Sequence, residues 1–210
     1  MNDTDFAPRY PLTTGDFTTV EFGPTPSQTV GPFLHIGLPW PDGPDVVAPG
    51  TDDAITVTVT VSDGARTPIA DALVEVWQAN RDGVFEHPDD PRPQTDPDFR
   101  GFGRCPADAT GTVRFTTVKP GALVGGDGET EAPHLNVSIF ARGMLNRLVT
   151  RLYFADEESA NAADPVLAAL PAAQRHKLIA TATATAEGYH LDIVVQDADP
   201  DGDETPFFHF

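Results

Sequence analysis
Six histidines, at positions 35, 87, 134, 176, 190 and 209, are the residues of this chain best suited to hold a transition metal. In a strand, residues i and i+2 share a face, so an H-x-H pair would aim two imidazoles at one ion. The segment of that shape, His134-Leu135-Asn136, offers one imidazole and one neutral amide. A hard ferric ion also asks for anionic oxygens, and the tyrosines are Tyr10, Tyr153 and Tyr189 only. On spacing alone His134 reads as a satisfied structural histidine. The acidic stretch from Asp197 to Asp203 imitates the opening of a calcium loop, with carboxylates at relative positions 1, 3 and 5 and glycine at 6. It has Pro200 at position 4 and Phe208 at position 12, where a bidentate carboxylate belongs, so a solvated turn is expected instead. No G-x-S-x-G elbow, glycine-rich phosphate loop or H-E-x-x-H occurs. Cys105 follows Arg104 but reads as a buried, inert thiol. Arg142 closes the run HLNVSIFAR just before Gly143, where a planar five-donor fork could meet either a neighbouring acid or the carboxylate of a ligand.

The elements that must position these groups are mostly strands. ITVTVTVS (55–62) alternates apolar and hydroxyl residues with period two, and a turn at Asp63-Gly64 leads to DALVEVWQA (71–79). Asn80-Arg81-Asp82-Gly83 supplies another turn, and strand patterns resume at 111–118, 134–142, 148–154 and 189–196. Residues 86–98 carry four prolines and five acids and form an exposed loop. The Ala-rich stretch 155–182 fits one or two short helices, broken at Pro165 and Pro171. Residues 1–53, rich in proline and without periodicity, read as an extended arm on a core spanning 54–210. The terminal FFHF reads as an apolar plug or an interface, because three phenylalanines should not sit in water. The fold class is mainly β, a sandwich in a single domain.

Composition bounds the function. With 13 Lys+Arg against 32 Asp+Glu, the formal charge of −19 repels nucleic acid and anionic membrane surfaces. One cysteine excludes an internal disulfide, the first residues lack the pattern of a secretory signal, and no run approaches the roughly 18 apolar residues of a membrane span. A soluble, cytoplasmic protein is expected.

Several blocks in order resemble one family, the intradiol ring-cleaving dioxygenases. They are TPSQTVGPFLHIG (25–37), ALVEVWQAN (72–80) with DGVF (82–85), FGR (102–104), TTVKPG (116–121), APHLNVSIFARG (132–143), TRLYFADE (150–157), YHLDIVVQ (189–196) and the terminal FFHF. The resemblance runs from about residue 20 to the C-terminus and implies a β-sandwich and a non-haem ferric site of two tyrosinates and two histidines. At the positions that match, this chain has Phe85, Leu123 and Asn136 in place of the two tyrosines and the second histidine, and keeps His134. The resemblance therefore implies a subunit without metal that pairs with an iron-bearing beta subunit, which opens the catechol ring of protocatechuate with O2. It further implies that Thr29, Gly31, Pro32 and Arg142 of this chain line the substrate mouth, with no catalytic and no metal-ligating residue here. An independent binding module, and a homomeric enzyme with iron on His134 and another histidine such as His87, are the rival readings.

Overall fold
The computed structural model describes residues 28–208 apart from 94–95, 126–127, 185–187 and 200–201. Among the described residues there are ten strands: β1 Ala54–Ser62, β2 Leu73–Trp77, β3 Phe102–Pro106, β4 Thr112–Val118, β5 Leu123–Val124, β6 Thr130–Glu131, β7 His134–Phe140, β8 Leu148–Phe154, β9 Ile179–Ala182 and β10 Gly188–Val194. Eight of them form one continuous sheet in the order β3-β2-β7-β8-β9-β10-β1-β4, while β5 and β6 make a small separate hairpin. The long sheet folds over on itself at β9, which runs parallel to β8 at Tyr153 and Phe154 and antiparallel to β10 at Tyr189 and His190. Two leaves, β3-β2-β7-β8 and β10-β1-β4, thus face each other across one core.

Period-two alternation sets that core. Val57, Val59 and Val61 of β1, Val113 and Phe115 of β4, and Leu191 and Ile193 of β10 meet Val74 and Val76 of β2, Leu135, Val137 and Ile139 of β7, and Leu152 and Phe154 of β8. The alternate residues of β2, β7 and β8 point to the outer face of their leaf, and that face carries the chemistry described below. Buried Gln78 ties the leaves together at one end: its Nε2 donates to the Val118 carbonyl at 2.9 Å, and its Oε1 accepts from the Thr117 hydroxyl at 2.6 Å.

Three features depart from the sequence reading. β1 and β2, which the sequence joins through the Asp63-Gly64 turn, are not neighbours but lie in opposite leaves, with β1 between β10 and β4 and β2 between β3 and β7. The described end of the arm is not merely laid on the core: it forms a helix, α1 Phe33–Gly37, and then drives Val46 and Val47, both fully buried, between the leaves. Gly103 of β3 makes room for it, since a Cβ there would lie 2.7 Å from Val46 and 3.1 Å from Phe115. The Ala-rich stretch holds three short helices, α2 Glu158–Ala163, α3 Pro165–Ala169 and α4 Ala172–Arg175, where one or two were expected, and ends in strand β9. Residues 1–27, and His209 and Phe210 of the tail, lie outside the described residues. Phe207 and Phe208 are half-buried, Phe207 against the main core and Phe208 against a second cluster with Leu167 and Leu178.

Gln78→Ala leaves the buried Thr117 hydroxyl and Val118 carbonyl with only their long mutual contact at 3.5 Å, so unfolding by urea should show a loss of about 2–3 kcal/mol at unchanged m-value.

Candidate functional site
Two turns place the side chains that the resemblance singles out. Asn80 Oδ1 accepts from the amides of Asp82 and Val84 at 2.9 and 3.0 Å, which shapes the turn after β2, and the Asn80 carbonyl accepts from Gly121 N of the KPG turn at 2.9 Å. The turns meet glycine to carbonyl: a Cβ on Gly83 would lie 2.4 Å from the Ala122 oxygen, and one on Gly121 2.4 Å from the Arg81 oxygen. Phe85 leaves the first turn to stack on Trp77 at 6.0 Å and 9°. Leu123 leaves the second and pairs with Glu131 across the β5-β6 hairpin. His134 and Asn136 share the outer face of β7, with Asn136 between Trp77 of β2 and Arg151 of β8. The four positions converge on one patch.

A charged network fills that patch. Arg151 Nη1 lies 2.9 Å from Glu131 Oε2 and donates to the Tyr153 hydroxyl at 3.2 Å, and that hydroxyl donates to Asp164 Oδ1 at 3.2 Å. Asp164, fully buried, also accepts from Ala132 N and caps α3 through Leu167 N, both at 2.8 Å. His134 is 3% exposed; its Nδ1 is 2.7 Å from the Ala132 carbonyl and its Nε2 3.6 Å from Glu131 Oε2. Burial and then the Arg151 charge hold the His134 pKa below the ordinary imidazole value. Burial raises the Tyr153 pKa, so this phenol stays protonated. His87 lies edge-on to Trp77, with its Nδ1 accepting from Asp89 N at 3.2 Å. Among the described residues no three His, Cys, Asp or Glu side chains are grouped to hold a metal ion.

The arm and the FARG loop meet at another edge. Thr29 Oγ1 accepts from Gly143 N at 2.7 Å and faces Gly31 N at 3.4 Å; Gly31 adopts φ +65°, and Pro32 opens α1. His35 of α1 lies 3.3 Å from the Ala72 carbonyl. Arg142, largely exposed, sets its Nε 3.2 Å from Asp71 Oδ2, an oxygen that is shut off from solvent and makes no hydrogen bond. Thr29, Gly31, Pro32 and Arg142 are thus brought to one place. The acidic stretch is a turn held by Asp197, whose carboxylate accepts from Asp199 N and Asp203 N; Pro200 and Asp201 lie outside the described residues. Cys105 is buried, and that burial raises its pKa.

A family model described as "Dioxygenase" matches residues 44–197. The chain is 37% identical over 199 residues to the protocatechuate 3,4-dioxygenase alpha chain of Burkholderia cepacia, covering 88% of this chain and 96% of that one. It is 38% identical over 156 residues to the beta chain from the same organism, covering 70% and 66%. Among solved structures, an intradiol ring-cleavage dioxygenase from Tetranychus urticae shares the fold with a TM-score of 0.58 at 20% identity, over 74% of this chain and 87% of that one. This chain belongs to the intradiol dioxygenase family, whose members are oxidoreductases.

Its own residues do not fit the family's ferric iron. The resemblance calls for two phenolates and two imidazoles; Phe85 and Leu123 end in carbon, Asn136 in a neutral amide, and the one remaining imidazole lies beside a guanidinium. Sequence reasoning missed Arg151, Glu131, Asp164 and Asp71, because TRLYF and the single Asp of DALVEVW carry no motif of their own. Alternation did hold the missing signal: Arg151 and Tyr153 fall on the same strand face as each other, and pairing then sets them opposite Asn136 and His134.

Two expectations follow from the network. Arg151→Leu should cost about 3 kcal/mol in denaturant titrations, because it strands Glu131, while Arg151→Leu with Glu131→Leu should recover much of that. A histidine whose pKa is depressed on folding contributes stability that is present above its unfolded value of 6.5 and is lost as pH falls toward its folded value. Thermal unfolding between pH 7 and 5 should therefore show a downward slope that His134→Gln flattens.

Proposed function
We propose that this chain is the iron-free, alpha-type subunit of a cytoplasmic protocatechuate 3,4-dioxygenase, paired with an iron-bearing beta-type subunit. The observation that carries the reading is the Thr29–Gly143 hydrogen bond, which sets the arm loop beside Arg142, in a chain aligned over nearly its whole length with an alpha chain of that enzyme. Protocatechuate is 3,4-dihydroxybenzoate, and its cleavage by O2 to 3-carboxy-cis,cis-muconate belongs on this reading to non-haem Fe(III) in the partner. This chain binds and orients. With Nε turned to Asp71, the two terminal nitrogens of Arg142 have no described partner and can meet the ring carboxylate as a fork. Gly31, Pro32 and the Thr29 hinge wall the mouth with backbone, and Asp71 limits the rotamers of the arginine. A local cation also offsets the field of a chain of charge −19 toward an anionic substrate. Val30, Phe33 and Ile36, all exposed beside this edge, supply the apolar surface that a stable subunit contact requires.

Iron content and protocatechuate-dependent O2 uptake should be absent from the chain purified alone and present after co-expression with its beta-type partner. Iron and turnover in the chain alone would refute the reading, and a well-behaved iron-free chain that never associates would favour a binding module. In the assembled enzyme, Arg142→Ala should raise KM about tenfold with kcat changed less than about twofold; unchanged kinetics would remove Arg142 from the mouth.

A further inference from the structure
The arm that carries Thr29, Gly31 and Pro32 runs on into α1, and α1 has little of its own to hold it in place. A helix of five residues is too short to be stable by itself, and this one buries none of them, with Phe33 and Ile36 facing outward. It must be fixed from outside. Just beyond its end stands Arg104 of β3, a largely buried arginine that the proposed function does not use.

Arg104 grips the leaf and the arm at once. Its Nε and Nη2 donate to Oε1 of Glu75, the residue directly across from it on β2, at 2.8 and 2.5 Å. Its Nη1 donates at 3.3 Å to the carbonyl of Leu38, the residue that caps α1 at its C-terminal end. The guanidinium lies over the Trp40 ring at 5.1 Å and the Phe102 ring at 5.5 Å, and the two rings stack at 6.2 Å and 17°. Backbone contact completes the grip. Arg104 N donates to the Gly43 carbonyl at 2.8 Å, and a Cβ on Gly43 would lie 2.6 Å from the Arg104 oxygen, so glycine is needed for the approach. A planar fork can serve the carboxylate, the carbonyl and the rings together, which the point charge of a lysine cannot. At the other end of the same segment, Thr29 Oγ1 accepts from Gly143 N. Gly31 and Pro32 are strung between these two anchors.

We propose that Arg104 is a positioning residue of the substrate mouth: by pinning the end of α1 to β2 and β3, it fixes where Gly31 and Pro32 stand relative to Arg142. The proposal rests on the reading of Thr29, Gly31, Pro32 and Arg142 as that mouth. Arg104 touches no substrate. Loss of its grip lowers the fraction of the assembly whose mouth is correctly formed, which weakens substrate binding and leaves the partner's chemistry at its own rate.

The test joins steady-state kinetics of the co-expressed assembly to its hydrogen exchange. Arg104→Ala should raise KM for protocatechuate about fivefold with kcat changed less than about twofold, and Arg104→Lys should raise it only about twofold. Trp40→Leu, which removes the stacked ring and strands no charge, should raise KM about threefold. Thr29→Val combined with Arg104→Ala should raise it by less than the product of the two single effects, because both release the same segment. Gln78→Ala, which costs stability at the junction of the leaves, should leave KM unchanged. Amides of residues 34–43 should exchange about tenfold faster in Arg104→Ala, with those of β7 unaltered. Unchanged KM in Arg104→Ala and Trp40→Leu would overturn the proposal, as would unchanged exchange of the arm. A KM shift shared by Gln78→Ala, or a kcat that falls in step with KM, would mean a general loss of fold and overturn it equally. A wild-type assembly without turnover refutes the mouth itself, whereas turnover whose KM ignores Arg104 refutes only the positioning role.

Discussion
A guanidinium that is mostly out of water has to be paired, and Arg151 imposes that requirement on its whole neighbourhood. Its Nη1 is answered by Glu131 from the β5-β6 hairpin and by the Tyr153 hydroxyl, which donates in turn to Asp164. Asp164 in turn caps α3 and holds the Ala132 amide just ahead of β7. One chain of charge-assisted contacts thereby docks the hairpin and the helices onto the outer face of a leaf whose inner face is ordinary Val, Leu and Ile packing. Removing any single member leaves another stranded in low dielectric, which is why such networks specify one arrangement rather than add much to net stability.

That network also bears on what this face can hold. A site for a trivalent cation needs anionic donors turned inward; this face carries carbon at Phe85 and Leu123 and a locked guanidinium opposite Asn136. At another edge, the Thr29–Gly143 contact closes the arm onto the Arg142 loop. Arg142 thus presents its guanidinium against the chain's strongly acidic background.

Period two made most of the strands legible, and ITVTVTVS and HLNVSIF could be placed on buried faces residue by residue. Pairing was another matter. The turn at Asp63-Gly64 suggests a hairpin, yet β1 and β2 part to opposite leaves, since the choice of partner depends on long-range burial that no local pattern records. β3 escaped because FGRCP pairs a glycine with a proline, and that glycine is needed by Val46, which sits 57 residues before it in the chain. β9 escaped because Ile-Ala-Thr-Ala continues an alanine-rich run whose helices end only a few residues earlier. For the site, alignment to a family could mark Phe85, Leu123, His134, Asn136 and Arg142, but not the groups they touch: Asp71 and Glu131 become visible only once strands are paired.

His134, the one ligand position of the resemblance that this chain fills, is held as a structural group. An imidazole kept for a metal should present one nitrogen toward a shared cavity while the other is oriented by a neighbour. Here the orienting half of that arrangement survives, as Nδ1 faces the Ala132 carbonyl at 2.7 Å, but Nε2 looks onto Glu131, which already belongs to Arg151. The ring is also packed against Tyr153 with centroids 5.5 Å apart. Burial, the guanidinium and that packing favour the neutral imidazole as a structural group, and each would be disturbed by replacing it. The surrounding side chains therefore depend on the shape of His134 and on its one hydrogen bond.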